Sequence, residues 1–453
     1  MSEKNELFEK MPIAKAVITL VIPTVISQLI TVAYNMADTF FIGQLNDPAQ
    51  VAAATVSMPP FVMLTGIANL FGIGGSSLIS KYLGIGEREK AKKTASFCIW
   101  SSAIISFIYG LMFILLKPYL LPILGAKAST YDYCYTYLFW TVSVGAVPTV
   151  MNACLAHLIR SEGLSKQAGF GVALGGILNM LLDPLFIFTF KMDIVGAAIA
   201  TTLSNMIATL YFIVIIYKRR HETVITAKPT YFTIKNDIPK NVCIIGLPNF
   251  ILIMMGIVSN TAINHLVASY SDAAIAGMGI AKKIDMLTFS IVNGMTQGVI
   301  SLIAYNYAAK NIKRMLEAVK TTFLYTLVIG IAVTMLLFVG AEPISKCFIA
   351  DAQTVAYSQQ FLKVICLICP IQAITMIVIT VFQAMGGGIK PLILSFMRKG
   401  IIDVPLMFVL NGMMGMMGIA YATPIAELMA CIVSILLVMP TFLSLKKEIL
   451  VSL

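Results

Sequence analysis

The chain carries unusually little charge. Asp, Glu, Lys and Arg make up 12% of its 453 residues, 58% of the residues are hydrophobic, and the mean hydropathy is +0.89. Soluble globular chains have about 25% charged and about 45–50% apolar residues. This composition excludes an ordinary soluble protein and indicates a membrane protein, because so apolar a chain folds where lipid replaces water as the main solvent.

The sequence also lacks a phosphate-binding loop. Four glycines cluster in one apolar segment: Gly66, Gly72, Gly74 and Gly75. No predicted strand precedes them and the P-loop lysine is missing, so direct use of ATP is not expected. Glycines in an apolar helix instead allow close approach of neighbouring helices, and we predict that role for them.

A zinc site and a cleavable leader are missing from the pattern as well. Cys366 and Cys369 form a single CxxC beside Pro370, whereas zinc sites usually pair two such motifs, so we expect buried, inert thiols. The polar residues 1–15 lack the small-residue cleavage site of a signal peptide. The first apolar helix is therefore expected to stay in the protein.

The chain does contain many long apolar stretches. A spanning helix needs roughly 20 mostly apolar residues, and we predict about twelve such helices, numbered 1 to 12 in chain order. They cover residues 17–43, 51–80, 95–116, 131–157, 169–190, 194–217, 243–268, 275–305, 319–340, 356–383, 391–411 and 415–443. The predicted fold class is an all-α integral membrane protein.

The net charge of +11 follows the membrane topology. Basic residues concentrate in alternate loops: Lys81, Arg88, Lys90, Lys92, Lys93, Arg160, Lys166, Lys218, Arg219, Arg220, Lys228, Lys235, Lys240, Lys310, Lys313, Arg314, Lys390, Arg398 and Lys399. The other loops hold only Lys117, Lys127, Lys191 and Lys346. This positive-inside pattern predicts a multi-pass plasma-membrane protein with both termini in the cytoplasm, and it removes any need for a nucleic-acid partner.

The second half of the sequence repeats the first at a spacing of about 222 to 225 residues. The matching pairs are Pro23 with Pro248, Tyr82 with Tyr307, Pro148 with Pro370, and the run Gly196, Ala198, Ala200, Thr201 with Gly418, Ala420, Ala422, Thr423. Recurring prolines and glycines imply two similarly bent bundles. We predict two pseudo-symmetric six-helix lobes, 1–222 and 242–453, joined by a cytoplasmic loop at 223–241, which is an arrangement typical of transporters.

The ionisable residues inside the predicted spans are candidates for function, because each costs roughly 2.5–3.5 kcal/mol to insert. Predicted helices 1 and 5 contain Asp38 and Asp183. Asn179 lies on the same helix face as Asp183, and Thr201 lies among small residues in predicted helix 6. These oxygens suit a hard cation, and two neighbouring carboxylates do not readily ionise together. The cluster can therefore hold Na⁺, carry a proton, or serve only as a structural polar knot.

The second half carries its own charged residues within predicted spans. They are Lys282, Lys283, Asp285, Asp403 and Glu427. Unpaired charges in a membrane are costly, so we predict that these residues pair with one another, with lining of a cavity as the alternative.

Three segments carry a family resemblance. The run YNMADTFFIG at 34–43 resembles the helix 1 signature of the multidrug and toxic compound extrusion (MATE) transporters. LGGILNMLLDPLFIF at 174–188, followed by VGAAIATTLSN at 195–205, resembles their helix 5–6 region, and SLIAYNYAAKNIKRMLEA at 301–318 resembles their helix 8–9 entry. The resemblance implies a V-shaped central cavity and export of cationic or amphipathic drugs by Na⁺ or H⁺ antiport.

The resemblance also implies site residues. Asp38, Asn179, Asp183 and Thr201 match the cation site of the family's first lobe, with Na⁺ as a metal that they would bind. Some family members use acidic residues in helices 7 and 10, but this chain has no carboxylate there: helix 7 offers Asn260 and Asn264, and helix 10 offers Gln372 and Gln383. Alignment of Pro184 with Pro405 puts Val404 opposite Asp183 and Gly400 opposite Asn179. The second lobe is therefore expected to lack a mirror copy of the cation site.

The sequence as a whole predicts a secondary antiporter that acts without a cofactor other than its coupling ion. Its partners would be small-molecule drugs or toxic metabolites and the lipid bilayer, with no obligate protein partner. A flippase for lipid-linked sugars is the nearest alternative, and a basic-lined cavity reaching lipid headgroups would favour it. An integral-membrane enzyme would need a catalytic cluster, for which His157 with Glu162 is the nearest candidate. A non-transporting scaffold is disfavoured by the buried carboxylates.

Overall fold

The computed structural model describes residues 6–452 except 46, 236, 268 and 350. The outermost parts of the two predicted lobes, residues 1–5 and 453, lie outside the described residues. The described chain is helical and contains no β-strand. Twelve main helical segments follow in order: α1 Ile13–Gly43, α2 Pro48–Gly84, α3 Arg88–Ile123, α4 Tyr131–Val144 with Ala146–Arg160, α5 Ser165–Thr189, α6 Asp193–Lys218, α7 Ile238–Val267, α8 Asp272–Ala308, α9 Ile312–Val339, α10 Ala352–Met385, α11 Ile389–Phe396 with Met397–Ile401 and Asp403–Met414, and α12 Met416–Ser452. Two short helices, Glu6–Lys10 and Ala341–Phe348, precede α1 and α10.

The number of unbroken spans is lower than the twelve predicted. Within the described residues, ten helices are long and apolar enough to cross a membrane, and α4 makes eleven if its two parts, bent by 48°, count as one span. The remaining predicted span, 391–411, corresponds to α11, which consists of three short pieces. The central piece includes Arg398 and Lys399, and Asp403 begins the next. Charge and discontinuity in the middle of α11 explain why it is not a regular apolar helix. The all-α membrane class itself is confirmed.

Two compact units share the chain, and their boundaries differ from those of the predicted lobes. One unit contains residues 1–25 with 247–453, and the other contains residues 26–246. The first part of α1 thus belongs with the second half of the chain, and the first part of α7 belongs with the first half. The linker predicted at 223–241 is also grouped with the first half.

Glycines explain this exchange of helix ends. A Cβ on Gly294 or Gly298 of α8 would meet the backbone of Val25 or Val21 at 2.8 Å and 3.0 Å. A Cβ on Gly74 of α2 would meet the carbonyl oxygen of Val242 at the start of α7. Helices approach this closely only where the side chains are small. The packing role predicted for the glycines of α2 is therefore confirmed at Gly74.

In the described residues between α6 and α7, the chain is irregular apart from one short 3₁₀ turn, Pro229–Tyr231. It is held along α3 by hydrogen bonds to its backbone. Arg88 Nη2 donates to the carbonyl of Glu222 at 2.8 Å, and Trp100 Nε1 donates to that of Ala227 at 2.9 Å. The described part of the linker therefore packs within the unit formed by residues 26–246.

Candidate cation site in the first repeat

Gly176 brings α1 and α5 together. A Cβ at this position would meet Ile30 Cγ2 at 2.7 Å and Tyr34 Cδ1 at 3.0 Å, so only glycine permits the observed contact. Tyr34 lies one helical turn before Asp38, and Gly176 lies on α5 shortly before the polar residues that follow. This close packing positions the carboxylate of α1 toward the polar face of α5.

Asn179 links α5 to α6 inside the same unit. Its side-chain amide donates to Asp183 Oδ1 and to Thr201 Oγ1, both at 3.1 Å. Asn179 is 1% exposed, Asp183 0% and Thr201 5%. Asn179 and Asp183 are four residues apart on α5 and therefore lie on the same face of that helix. The structure thus brings three of the four predicted site residues into direct contact.

Asp38 reaches the same region through Tyr137 of α4. The Tyr137 hydroxyl lies 3.5 Å from Asp38 Oδ2, at the limit of a hydrogen bond, and Tyr137 interacts electrostatically with both Asp38 and Asp183. The two carboxylates also interact electrostatically with each other. Asp38 is only partly buried, whereas Asp183 is fully enclosed. The four predicted residues therefore lie in one region, although their sequence separation exceeds 160 residues.

Three buried oxygens of this cluster have no hydrogen-bond partner among the described residues. They are Asp38 Oδ1, Asn179 Oδ1 and Asp183 Oδ2. Buried polar atoms are nearly always satisfied, so a group of unsatisfied acceptors needs a physical reason. Carboxylate and amide oxygens are ligands for hard cations, and a carboxylate oxygen also accepts a proton. The donor set therefore fits Na⁺ and fits H⁺.

A second polar contact links α6 to α4. Asn152 Nδ2 of α4 donates to Asn205 Oδ1 at 2.8 Å, and Asn205 Nδ2 donates to the Thr201 carbonyl at 2.9 Å. Sequence reasoning missed this pair and also missed Tyr34 and Tyr137. The four-residue spacing of Thr201 and Asn205 on one helix face was the available signal for Asn205.

The charged residues of the second repeat are only partly arranged as predicted. Lys282 Nζ and Asp285 Oδ2 lie 4.0 Å apart, and Lys283 is exposed. Glu427 pairs with none of the predicted partners. Its carboxylate accepts from Arg398 Nε, at 2.9 Å to one oxygen and 3.0 Å to the other, and both side chains are 0% exposed. Counting Arg398 as a loop residue was wrong, because it lies within α11 and is fully buried.

Asp403 also differs from the predicted pairing. Its Oδ2 accepts a hydrogen bond from the Ser259 hydroxyl of α7 at 2.6 Å. In the part of the chain that the structure describes, no basic nitrogen lies within 4.0 Å of Asp403, although Lys282 interacts with it electrostatically at longer range. A hydroxyl satisfies a carboxylate oxygen without a second charge, and sequence alone cannot show which donor is nearest.

The His157 and Glu162 pair does not form a catalytic arrangement. Glu162 accepts hydrogen bonds from the Thr223 hydroxyl at 2.6 Å and from the Val224 amide at 2.9 Å. His157 packs against Gly72, where an added Cβ would meet its ring at 2.8 Å. Glu162 therefore anchors the inter-repeat linker, and His157 fills the packing between α2 and α4.

A repeated helical membrane bundle with buried carboxylates in its first repeat defines a multi-pass membrane transporter rather than an enzyme. Comparison with known proteins agrees. The sequence model of the MatE family matches residues 23–185 and 246–409, one match in each repeat. The chain belongs to the MatE family.

Relatives match along nearly the whole chain. The multidrug export protein MepA of Staphylococcus saprophyticus is 31% identical over 437 residues, which is 96% of each chain. MepA of Staphylococcus haemolyticus is 30% identical, with 95% of this chain and 94% of the relative covered. Among solved structures, the outward-facing form of a multidrug resistance MATE family transporter of the MOP superfamily has a TM-score of 0.90 at 25% identity and covers 99% of both chains.

Proposed function

We propose that this protein is a secondary active antiporter that exports cationic or amphipathic organic compounds in exchange for Na⁺ or H⁺. The observation that carries the proposal is the cluster of Asp38, Asn179, Asp183 and Thr201 with its three unsatisfied buried oxygens. Burying such polar groups within a membrane span costs free energy, and intramembrane carboxylates commonly mark ion or proton pathways.

The coupling step follows from the geometry of α1 and α5. A cation bound between Asp38 and Asp183 offsets the repulsion between their two negative charges, and its release restores that repulsion. Because α1 contacts α5 at Gly176 and contains Pro23 within its length, the change in charge biases the bend of α1. Occupancy of the site is thereby linked to the conformation of the transporter.

The cargo and the orientation rest on separate support. Both MepA relatives are named as multidrug export proteins, and a drug or toxic metabolite is accordingly the proposed substrate class. The excess of basic residues in alternate loops supports a plasma-membrane orientation with both termini and the 218–241 segment in the cytoplasm.

Transport in proteoliposomes tests the proposal and separates the two coupling ions. Purified protein is reconstituted, and accumulation of a fluorescent organic cation is followed under an imposed Na⁺ gradient or an imposed pH gradient, each applied alone. We expect accumulation under at least one gradient and none in its absence. Accumulation that ignores both gradients would rule out antiport, and selective movement of a labelled lipid-linked sugar would favour the flippase instead.

A further inference from the structure

Arg398 lies at the centre of a buried polar cluster in the second repeat. Its Nε donates to both oxygens of Glu427 on α12, and its Nη1 contacts the Met376 sulfur on α10. Asp403 follows on α11 and is bonded to Ser259 of α7. The fully buried Arg398 therefore links α11 to α10 and α12, and the fully buried Asp403 links α11 to α7, all within one compact unit.

This cluster corresponds to the cation site of the first repeat. Thr201 aligns with Thr423, so Asn205 and Glu427 occupy the same position on α6 and α12. The helices joined by these contacts, α7, α10, α11 and α12, are the repeat partners of α1, α4, α5 and α6. Loss of the residues opposite Asn179 and Asp183 has therefore not removed a polar cluster from the second repeat.

The two clusters differ in their built-in charge. Each contains two carboxylates, Asp38 with Asp183 in the first repeat and Asp403 with Glu427 in the second. Among the described residues, no basic nitrogen lies within 4.0 Å of Asp38 or Asp183, whereas Arg398 is bound directly to Glu427. A fully buried carboxylate is costly unless a positive charge or a proton neutralises it. Asp183 must take that charge from solution, whereas Glu427 receives it from Arg398 of its own chain.

We infer that Arg398 is the tethered cation of the second repeat, filling a cation site that the first repeat leaves to an exchangeable ion. A guanidinium cannot be deprotonated in a protein and cannot diffuse away, so Glu427 stays neutralised throughout the cycle. One coupling site per chain follows, located in the first repeat. The conclusion that the chain has one coupling site rests on the proposed antiport, whereas the need of Glu427 for a cation does not.

Cation rescue of Arg398→Ala tests the inference without any transport measurement. The thermal unfolding midpoint is measured in detergent with millimolar methylguanidinium chloride and, separately, with the same concentration of choline chloride. We expect a lowered midpoint in choline and a saturable recovery in methylguanidinium, because the small cation replaces the missing side chain beside Glu427. The native protein should show no such difference.

Arg160→Ala is the matched control. Arg160 is also buried, at 4% exposure, but its Nη2 donates to the Ser27 hydroxyl and not to a carboxylate. Removing it leaves a cavity without an uncompensated negative charge. Equal rescue of both variants, no rescue of Arg398→Ala, or native stability of Arg398→Ala in choline would each overturn the inference.

A double variant covers the case in which Arg398→Ala does not fold. Arg398→Met with Glu427→Gln removes both charges at similar volume, and we expect it to fold, to ignore methylguanidinium, and to export with the native dependence on the coupling gradient. Failure of the double variant to fold would show that packing and not charge is required. Folded protein with altered coupling would show that the pair takes part in ion exchange. Either result overturns the inference and leaves the first-repeat site to be judged by Asp183→Asn.

Discussion

Asp183→Asn removes one negative charge from the first-repeat cluster and keeps the shape of the side chain. The substituted amide oxygen can still accept from Asn179, which now donates to Asp183 Oδ1 at 3.1 Å. The new amide nitrogen replaces Asp183 Oδ2, which has no partner among the described residues. Exchanging a charged for a neutral acceptor costs about 1 kcal/mol, a small part of a typical stability of about 5–15 kcal/mol. The variant should therefore insert and fold.

The effect on the coupling ion is much larger. A cation about 4 Å from a carboxylate gains about 4 kcal/mol at an effective dielectric constant of about 20. Because about 1.4 kcal/mol corresponds to a factor of ten, losing this interaction weakens cation binding by up to about a thousandfold. Gradient-driven export by Asp183→Asn should therefore fall to near background, while drug binding to the detergent-solubilised variant should survive in part.

Uptake into inverted membrane vesicles, normalised to folded protein, provides the measurement. Asp47→Asn is the matched control, since Asp47 lies outside the spans and caps α2 by accepting from the Ala49 amide at 2.9 Å. Asparagine caps a helix as well as aspartate does, so this control should export normally. Normal coupled export by Asp183→Asn would refute the coupling mechanism. Loss of folding in both Asp183→Asn and Asp38→Asn would mean that the cluster is only structural.

Three further outcomes are expected. Gly176→Ala should reduce coupled export and lower the free energy of unfolding by about 1–3 kcal/mol, because the new methyl group overlaps α1. Gly412→Ala is the control, since a Cβ there meets nothing within 4 Å, and it should change neither export nor stability. If the two variants behave alike in thermal-shift and uptake assays, the prediction is contradicted. In intact cells, an impermeant thiol reagent should label the exposed Cys347 of the native protein. It should not label the variant in which Cys347 is replaced by serine and Lys235, which is exposed, by cysteine. Labelling of that variant would overturn the proposed cytoplasmic location of the 218–241 segment. Asp403→Asn should change stability or substrate range more than coupling, and a loss of gradient dependence in vesicle uptake by folded protein would argue otherwise.

The approximate positions of the helices could be predicted because apolar length is a local property of the chain. Eleven of the predicted spans correspond to long helices or to the bent pair of α4, and the prolines at 23 and 248 lie within α1 and α7 as the repeat suggested. The exception, α11, breaks where Arg398 and Asp403 interrupt the apolar run. The site residues of the first repeat could be predicted because an acidic residue within an apolar span is rare and costs free energy to insert.

The partners of those residues were beyond sequence reasoning, because they depend on which helix faces meet. Asn179 bonding Thr201, Tyr137 approaching Asp38, and Ser259 bonding Asp403 join residues that lie 22, 99 and 144 positions apart. Residue types show only that each group needs a partner. Only packing at contacts such as Gly176 decides which donor comes within about 3 Å of which acceptor.

Composition, apolar length and the internal repeat by themselves determined a helical membrane protein of two related halves with a carboxylate-bearing first repeat. The tertiary structure decided that the first part of α1 packs with the second half of the chain, and that Arg398 is a buried partner of Glu427 and not a loop cation. The physical reason is that hydrophobicity acts residue by residue along the chain, whereas neutralisation of a buried charge depends on distances between helices that are remote in sequence.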